Sequence, residues 1–410
     1  MRPPDRQDRI RVGLEHEYVV KRHGGAVDFR SVVHSLDVPG RRIDPGDPHA
    51  YRLDSGIAVT CDGREAEVAT PPVPVRPGFI QGLRSWAGLA GRTLSSIVEP
   101  ELEIEGGSTH LSVSVPNEVG HATAGMFCRT FAPAVMLLMD GGDSPGLLIR
   151  PRFDRVELGG DYVAGESLDA AVAMAVGGVI VCRDVASGRR RKRTLPPPIR
   201  VNVVASVLRY GWYVDRCAFG TDLYVEGRSA RLRREVAGGI SGQRMLAASW
   251  RKARRALLPL VAEPDLSATD AVVRGDRPLP SETVTNRAVE TSALGPVSSP
   301  LGLGVRPLRR PGFDVEAVLA TWDFTVFRAH GTRSIFLAVP QPDLGDFADQ
   351  LTAGRLDGAI AQRIATLGRG VRLTSYDQAL RPGVFDALDA SNALAPPERG
   401  PDGVFRTARL

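Results

Sequence analysis

The 410-residue sequence predicts an α+β fold built on an antiparallel sheet with one strongly polar face. Two observations carry this. Four short stretches alternate polar and apolar residues with the two-residue period of a strand. Three longer ones, Phe79 to Val98, His121 to Asp140 and Ser241 to Ala262, carry the character of helices.

The first strand stretch is Val12-Gly13-Leu14-Glu15-His16-Glu17-Tyr18-Val19-Val20. Residues two apart on a strand point the same way. Glu15 and Glu17 therefore project side by side, with Leu14, His16 and Tyr18 on the other face. The spacing alone also describes an edge strand with a solvated acidic face. Three further stretches repeat the pattern and favour a site. Arg64 to Pro72 puts Glu65 and Glu67 on one face and is stopped by prolines. Gly106 to Val115 sets His110, Ser112 and Ser114 against Leu111, Val113 and Val115. Arg150 to Leu158 sets Arg155 and Glu157 against Val156 and Leu158. On a shared sheet the polar faces converge into carboxylates, one imidazole and guanidinium groups. Carboxylates suit hard divalent cations such as Mg²⁺, and arginines suit a phosphoryl group in transfer.

The order G-x-E-x-E, E-x-A-T-P-P, G-x-x-x-H and R-x-x-R-x-E, between about residue 10 and residue 160, resembles the glutamine synthetase-like carboxylate–amine ligases, and within them the glutamate–cysteine ligase-type branch. Asp143-Ser144-Pro145 adds to the likeness, which continues more weakly through Trp212-Tyr213-Val214 and the helix containing Trp250. The resemblance implies a curved antiparallel sheet forming a funnel, with helices on its outer face. It implies ATP as the nucleotide, Mg²⁺ (or Mn²⁺) held by strand glutamates, and an acyl phosphate captured by an amine. By motif position, Glu15, Glu17, Glu67, His110 and Glu157 become metal ligands. His110 and Arg152 contact the nucleotide, and Arg150 and Arg155 neutralise the transferring phosphoryl group. The implied partners are a small carboxylate such as glutamate and an amine, with homo-oligomerisation left open. Two positions depart from the family pattern: Ser112 stands where a second ligand-type residue is common, and Gly159 where an arginine is common, with Asp161 adding negative charge nearby. Those departures keep an amide hydrolase or a non-catalytic nucleotide-binding protein on the same fold as the alternative.

Composition sets the outer bounds. Hydrophobic residues make up 43% and charged residues 24%, as in soluble globular proteins. The net charge of +5 fits anionic small-molecule ligands without demanding nucleic acid. Four cysteines, far apart and without a C-x-x-C pair, argue against a zinc site or a disulfide framework and favour the cytoplasm. Met1 to Arg11 lacks the apolar segment of a signal peptide, and the longest apolar run, Ala170 to Cys182, is too short to span a bilayer.

The remaining elements follow in chain order. His34 and His49 read as surface residues, and Tyr51 to Cys61 as a strand turning at Asp62-Gly63. The helix from Phe79 buries Ile80, Leu83, Trp86 and Leu89. Ser167 caps a helix that Gly177-Gly178 breaks before a strand from Val179 to Cys182. The basic run Arg189 to Arg193 reads as a solvated hairpin loop, because no aromatic residues are interleaved for base stacking. Ile199 to Tyr213 reads as a strand with a turn at Tyr210-Gly211, and Arg228 to Arg234 as a second basic cluster. The expected organisation is a main catalytic domain over 1–262, a linker or flap over 263–311, a segment over 312–392 completing the same domain, and a loose tail over 393–410. In the third segment Val315 to Ala320 reads as helix, and Trp322 to Phe327 and Ser334 to Val339 as strands.

Overall fold

The structure, a computed structural model, describes residues 10–43, 48–62, 64–201, 203–205, 212–236, 238–283, 308–320, 324–332, 334–340, 347, 350–366, 373–375, 398–399 and 405–406. The chain divides into two compact units, Met1–Val201 with Arg216–Val289, and Asn202–Asp215 with Glu290–Leu410.

The first unit is α+β with a large antiparallel sheet. Its strands are β1 (Arg11–Arg22), β2 (Gly25–Ala26), β3 (Arg41–Arg42), β4 (Tyr51–Arg52), β5 (Ala58–Asp62), β6 (Glu65–Ala69), β7 (Val73–Pro74), β8 (Leu102–Ser114), β9 (Gly146–Arg152) and β10 (Arg155–Asp161). They lie in the order β9-β10-β8-β1-β6-β5-β4-β3, with β2 and β7 pairing the two ends of β1. The long β1–β8 pairing is interrupted once. Glu17 lies opposite Ser108 but Tyr18 opposite Gly106, so Gly107 is an extra residue, a bulge.

The alternation read from the sequence is the burial pattern of β1: Val12, Leu14, His16, Tyr18 and Val20 are buried on the core face. Against that face pack α1 (Phe29–Val32) and α2 (Phe79–Ile97), joined in one cluster with Val59, Ala66 and Val68. In α2 the buried stripe is Ile80, Leu83, Ala87, Ala90 and Leu94. Leu89, expected on it, is exposed, because the stripe follows i, i+3, i+7 from Ile80 and passes Leu89 on the far side. His16 sits between Tyr18 and Tyr162, and burial lowers its pKa to about 4.

Three differences from the expected elements have local causes. The segment from His121 to Asp140 is two helices, α3 (Asn117–Thr130) and α4 (Ala132–Met139), bent by 70° at Phe131. Pro133, in the first turn of α4, has no N–H to donate back to α3 and suits a helix start. Next, α5 runs unbroken over Gly165–Ala186, so Val179 to Cys182 is helix and Ser167 lies inside the first turn behind the N-cap Ala164. Gly177 and Gly178 permit close packing there. A Cβ on Gly177 would lie 2.6 Å from Ala253 Cβ, and one on Gly178 would lie 2.8 Å from the Phe131 ring. Finally, the segment after Ala262 is ordered into α6 (Ser267–Arg274) and a short turn of helix at Pro280–Thr283. Asp270 ties α6 to the helix Gly242–Leu257 by accepting from Trp250 Nε1 at 2.6 Å and Arg254 Nε at 3.1 Å.

The basic run forms a turn and a 3₁₀ helix, Lys192–Thr194, with Arg190 tied to Asp184 rather than a hairpin. Among the described residues no single helix is long and apolar enough to cross a membrane. The bent α3–α4 pair has the length, and every residue of α4 is buried in the protein.

In the second unit Val203–Ala205 and Trp212–Asp215 pair as antiparallel strands. Leu308–Arg310, Phe313–Ala320, Phe324–His330, Ser334–Pro340 and Leu373–Ser375 make a separate five-stranded sheet. Val315 to Ala320 is therefore strand, not helix; Phe313 and Val315 alternate into a core with Phe327, Leu337 and Ile360. The expected turn at Tyr210-Gly211, the linker residues 284–307 and most of the tail over 393–410 lie outside the described residues.

Gly177→Ala tests the helix packing. Alanine favours an isolated helix by roughly 1 kcal/mol over glycine. Overpacking typically costs about 1–3 kcal/mol, so the variant is expected to unfold at lower denaturant concentration. A higher midpoint would show that the α5 contact is slack.

Candidate active site

The antiparallel register carries the side chains of four strands onto one face. Glu17 of β1 lies opposite Glu67 of β6 and Ser108 of β8. One step along, Glu15 lies opposite His110, and His110 opposite Gly159 of β10. Glu157 lies opposite Ser112 on one side and Arg150 of β9 on the other. Arg155 lies opposite Ser114 and Arg152. Every predicted site residue is on this face.

His110 is the hub. Its Nδ1 lies 3.8 Å from Glu15 Oε2 and 3.5 Å from Glu157 Oε1, and its Nε2 lies 3.5 Å from Glu17 Oε1. Ligand-type atoms of Glu15, His110 and Glu157 lie within 4.8 Å of one another, and so do those of Glu17, Asp62 and Glu67. Ser108 Oγ donates to Glu17 Oε2 at 2.5 Å. Arg150 pairs with Glu157, and Arg152 Nε reaches Glu157 Oε2 at 3.0 Å.

The electrostatics divide the face. Burial, helped by Glu157, pushes Glu15 up to about 7 against the pull of Arg155, Arg152 and Arg150. Burial and the nearby Glu15, Glu17, Asp62 and Glu157 push Glu67 up to about 8. Burial also pushes Glu157 up, but Arg150, Arg152, His110 and Arg155 outweigh it and hold this carboxyl below its ordinary value. Carboxylates crowded until they retain protons, in two groups rich in oxygen donors, fit hard divalent cations. Glu17, Asp62 and Glu67 make an all-oxygen set suited to Mg²⁺, while His110 makes the second set equally suited to Mn²⁺.

Beyond Glu15 the face opens into a cleft of about 340 Å³, lined by Arg11, Arg52, Arg155, Gly13, Ser112 and Ser114. Guanidinium groups thus gather at one end of the face and carboxylates at the middle.

Three residues were not anticipated. Asp62, expected to be part of a turn, ends β5 opposite Glu65 and joins Glu67 on the same face. Arg11 and Arg52 reach the cleft from strands whose partners the sequence does not reveal.

Gly159 has a steric cause. A Cβ there would lie 2.8 Å from His110 Cδ2 and 2.9 Å from Nε2, so the imidazole occupies the space a side chain would need. Asp161, opposite Ser108 in the register, is engaged by the backbone at the end of the strand. Its Oδ2 accepts from Gly141 N at 2.8 Å, and burial raises its pKa. It fixes the turn that contains Asp143-Ser144-Pro145, whose carbonyls at Gly142 and Ser144 also accept from Arg216 at 2.8 and 3.2 Å.

No protein-family model matches the chain, and no curated protein matches it. Among solved structures it is similar to a crystal structure of the complex between prokaryotic ubiquitin-like protein Pup and its ligase PafA, at 10% identity and a TM-score of 0.38. The match covers 65% of this chain and 64% of that one, so this chain spans just under two thirds of its length.

The raised Glu67 pKa fixes a pH dependence. Folded, the group holds its proton to about 8, whereas its ordinary value is 4.5. Its stabilising share is complete below 4.5 and is lost as pH rises through 8. In metal-free buffer Glu67→Gln, which cannot ionise, is expected to melt higher than the parent at about pH 9 and nearly level with it at about pH 4.5. An equal shift at both pH values would refute the crowding.

Proposed function

We propose that this chain is an ATP- and Mg²⁺-dependent carboxylate–amine ligase of glutamine synthetase-like fold, closest in its motifs to the glutamate–cysteine ligase type. The observation that carries the reading is the pair of carboxylate groups centred on His110, flanked at one end of the same face by arginines.

The triphosphate is assigned to the arginine end, where Arg11, Arg52 and Arg155 line the cleft beside Glu15. Glu15, His110 and Glu157 would hold one Mg²⁺ or Mn²⁺, and Glu17, Asp62 and Glu67 the other. Bound there, the metals supply charge neutralisation at the phosphate oxygens. An oxygen of the substrate carboxylate attacks the γ-phosphorus, the bond from that phosphorus to the bridging oxygen breaks, and ADP leaves. The amine nitrogen then attacks the acyl carbon of the acyl phosphate. Inorganic phosphate departs and the nitrogen gives up a proton, for which the carboxylates of the face are acceptors. Arg155, at the rim of the cleft, is assigned to the charge that develops in transfer, and Arg150 and Arg152 to keeping Glu157 ionised. A small carboxylate, glutamate or similar, is assigned as first substrate. The substrate pocket must work without an arginine at 159, because His110 fills that space.

The test is ADP formation from Mg²⁺–ATP with a panel of carboxylates and hydroxylamine as the amine. Carboxylate-dependent ADP with a hydroxamate product is expected, and Glu17→Ala is expected to abolish both. Product without ATP consumption would instead identify a hydrolase, and Mg²⁺–ATP binding without ADP would identify a non-catalytic module. Arg155→Ala is expected to lower turnover by roughly two orders of magnitude while sparing ATP affinity, as for a group acting in the transition state. Parallel loss of both would move Arg155 to a binding role.

A further inference from the structure

A carboxylate that ligates a metal must be aimed as well as brought near. A glutamate does this poorly alone, because the last torsion of its side chain is broad and roughly two-fold. Glu157 is aimed by Arg150 and Arg152, each of which pairs with one of its oxygens. Glu17 is held differently. It is only 4% exposed, and Ser108 Oγ donates to its Oε2 at 2.5 Å while its Oε1 lies 3.5 Å from His110 Nε2.

Three features fit Ser108 to this task. It lies opposite Glu17 on β1 and opposite Asp161 on β10, so the strands on both sides fix its backbone. The next residue anchors the other face: Thr109 is fully buried, and its hydroxyl accepts from Val163 N at 2.9 Å. Finally, a serine hydroxyl has one proton to donate and carries no charge. It directs the Glu17 carboxylate without the positive charge of a guanidinium, which would compete with a cation for the same oxygens. We infer that Ser108 is a positioning residue, whose hydroxyl turns the Glu17 carboxylate toward the cation it shares with Asp62 and Glu67. This rests on the metal assignment of the proposed function and adds to it a residue outside the ligand set.

The test is titration of the full chain with Mn²⁺ in the absence of nucleotide, followed by the EPR signal of the free ion. Saturable binding is expected in the parent and is expected to fall in Glu17→Ala. Ser108→Ala is expected to weaken Mn²⁺ by roughly 10- to 100-fold, the usual effect of removing a hydrogen bond behind a metal ligand. Ser108→Thr, which keeps the hydroxyl, is expected to bind as the parent does. At one fixed Mn²⁺ concentration, the rise in melting temperature over metal-free buffer is expected to shrink in Ser108→Ala and persist in Ser108→Thr. Parental affinity in Ser108→Ala, or equal loss in the alanine and threonine variants, would overturn the positioning role and leave the ligase reading standing. Absence of Mn²⁺ binding in the parent, or its full retention in Glu17→Ala, would overturn the metal assignment and this role together.

Discussion

Like charges gathered on one face of a sheet repel, and the first unit is arranged around that repulsion. Strand register alone brings Glu15, Glu17 and Glu157 within reach of one imidazole and sets Glu67 opposite Glu17. Two of the four respond by holding protons, while Glu157 stays ionised between Arg150 and Arg152. The sheet can bear this because β1 and β8 are long and paired over most of their length, and because their opposite faces are buried against α2 and its neighbours. The cost of crowding is thus met by burial elsewhere on the same strands. A cation would relieve it directly, and this is what ties the fold to the proposed chemistry.

Much of this was legible in the sequence because a strand's period is short and strict. Alternation alone put Glu15 and Glu17 together, set His110 with Ser112, and set Arg155 with Glu157. It could not supply the order of strands, and so the reach of Arg11 and Arg52 into the cleft stayed hidden. Glycine was the other weak point. Gly177-Gly178 reads as a break, yet it lies mid-helix because Ala253 and the Phe131 ring come too close for any side chain. A doublet that ends a helix and one that admits a neighbour look the same until the neighbour is known. The same blindness made Gly159 look like a lost arginine when it is the floor beneath an imidazole.

The helical side has its own logic. The turn containing Asp143-Ser144-Pro145 is held from below by Asp161, by Arg216 and by Asp140, whose carboxyl is wholly buried, raised in pKa and bonded to the Tyr224 hydroxyl. This polar network sits immediately before β9, the strand that delivers Arg150 and Arg152. Rigid backbone upstream of two arginines that must meet one carboxylate is a plain structural reason for so much buried polarity.

The bulge at Gly107 has a consequence for how relatives of this chain should be compared. On one side of it the even-numbered residues of β8 share the face of Glu15; on the other, Glu105 and Glu103 lie opposite Val19 and Lys21, and the odd-numbered residues share it. An alignment that threads β8 as an uninterrupted strand would exchange inside for outside over Leu102 to Gly106. Deletion of Gly107 would restore uninterrupted pairing and leave His110 opposite Glu15 and Glu105 opposite Val19, so the faces depend on the pairing and not on the count of residues between them. Chains with and without this residue would therefore differ by one in the spacing from Glu105 to His110 while presenting both on the same face.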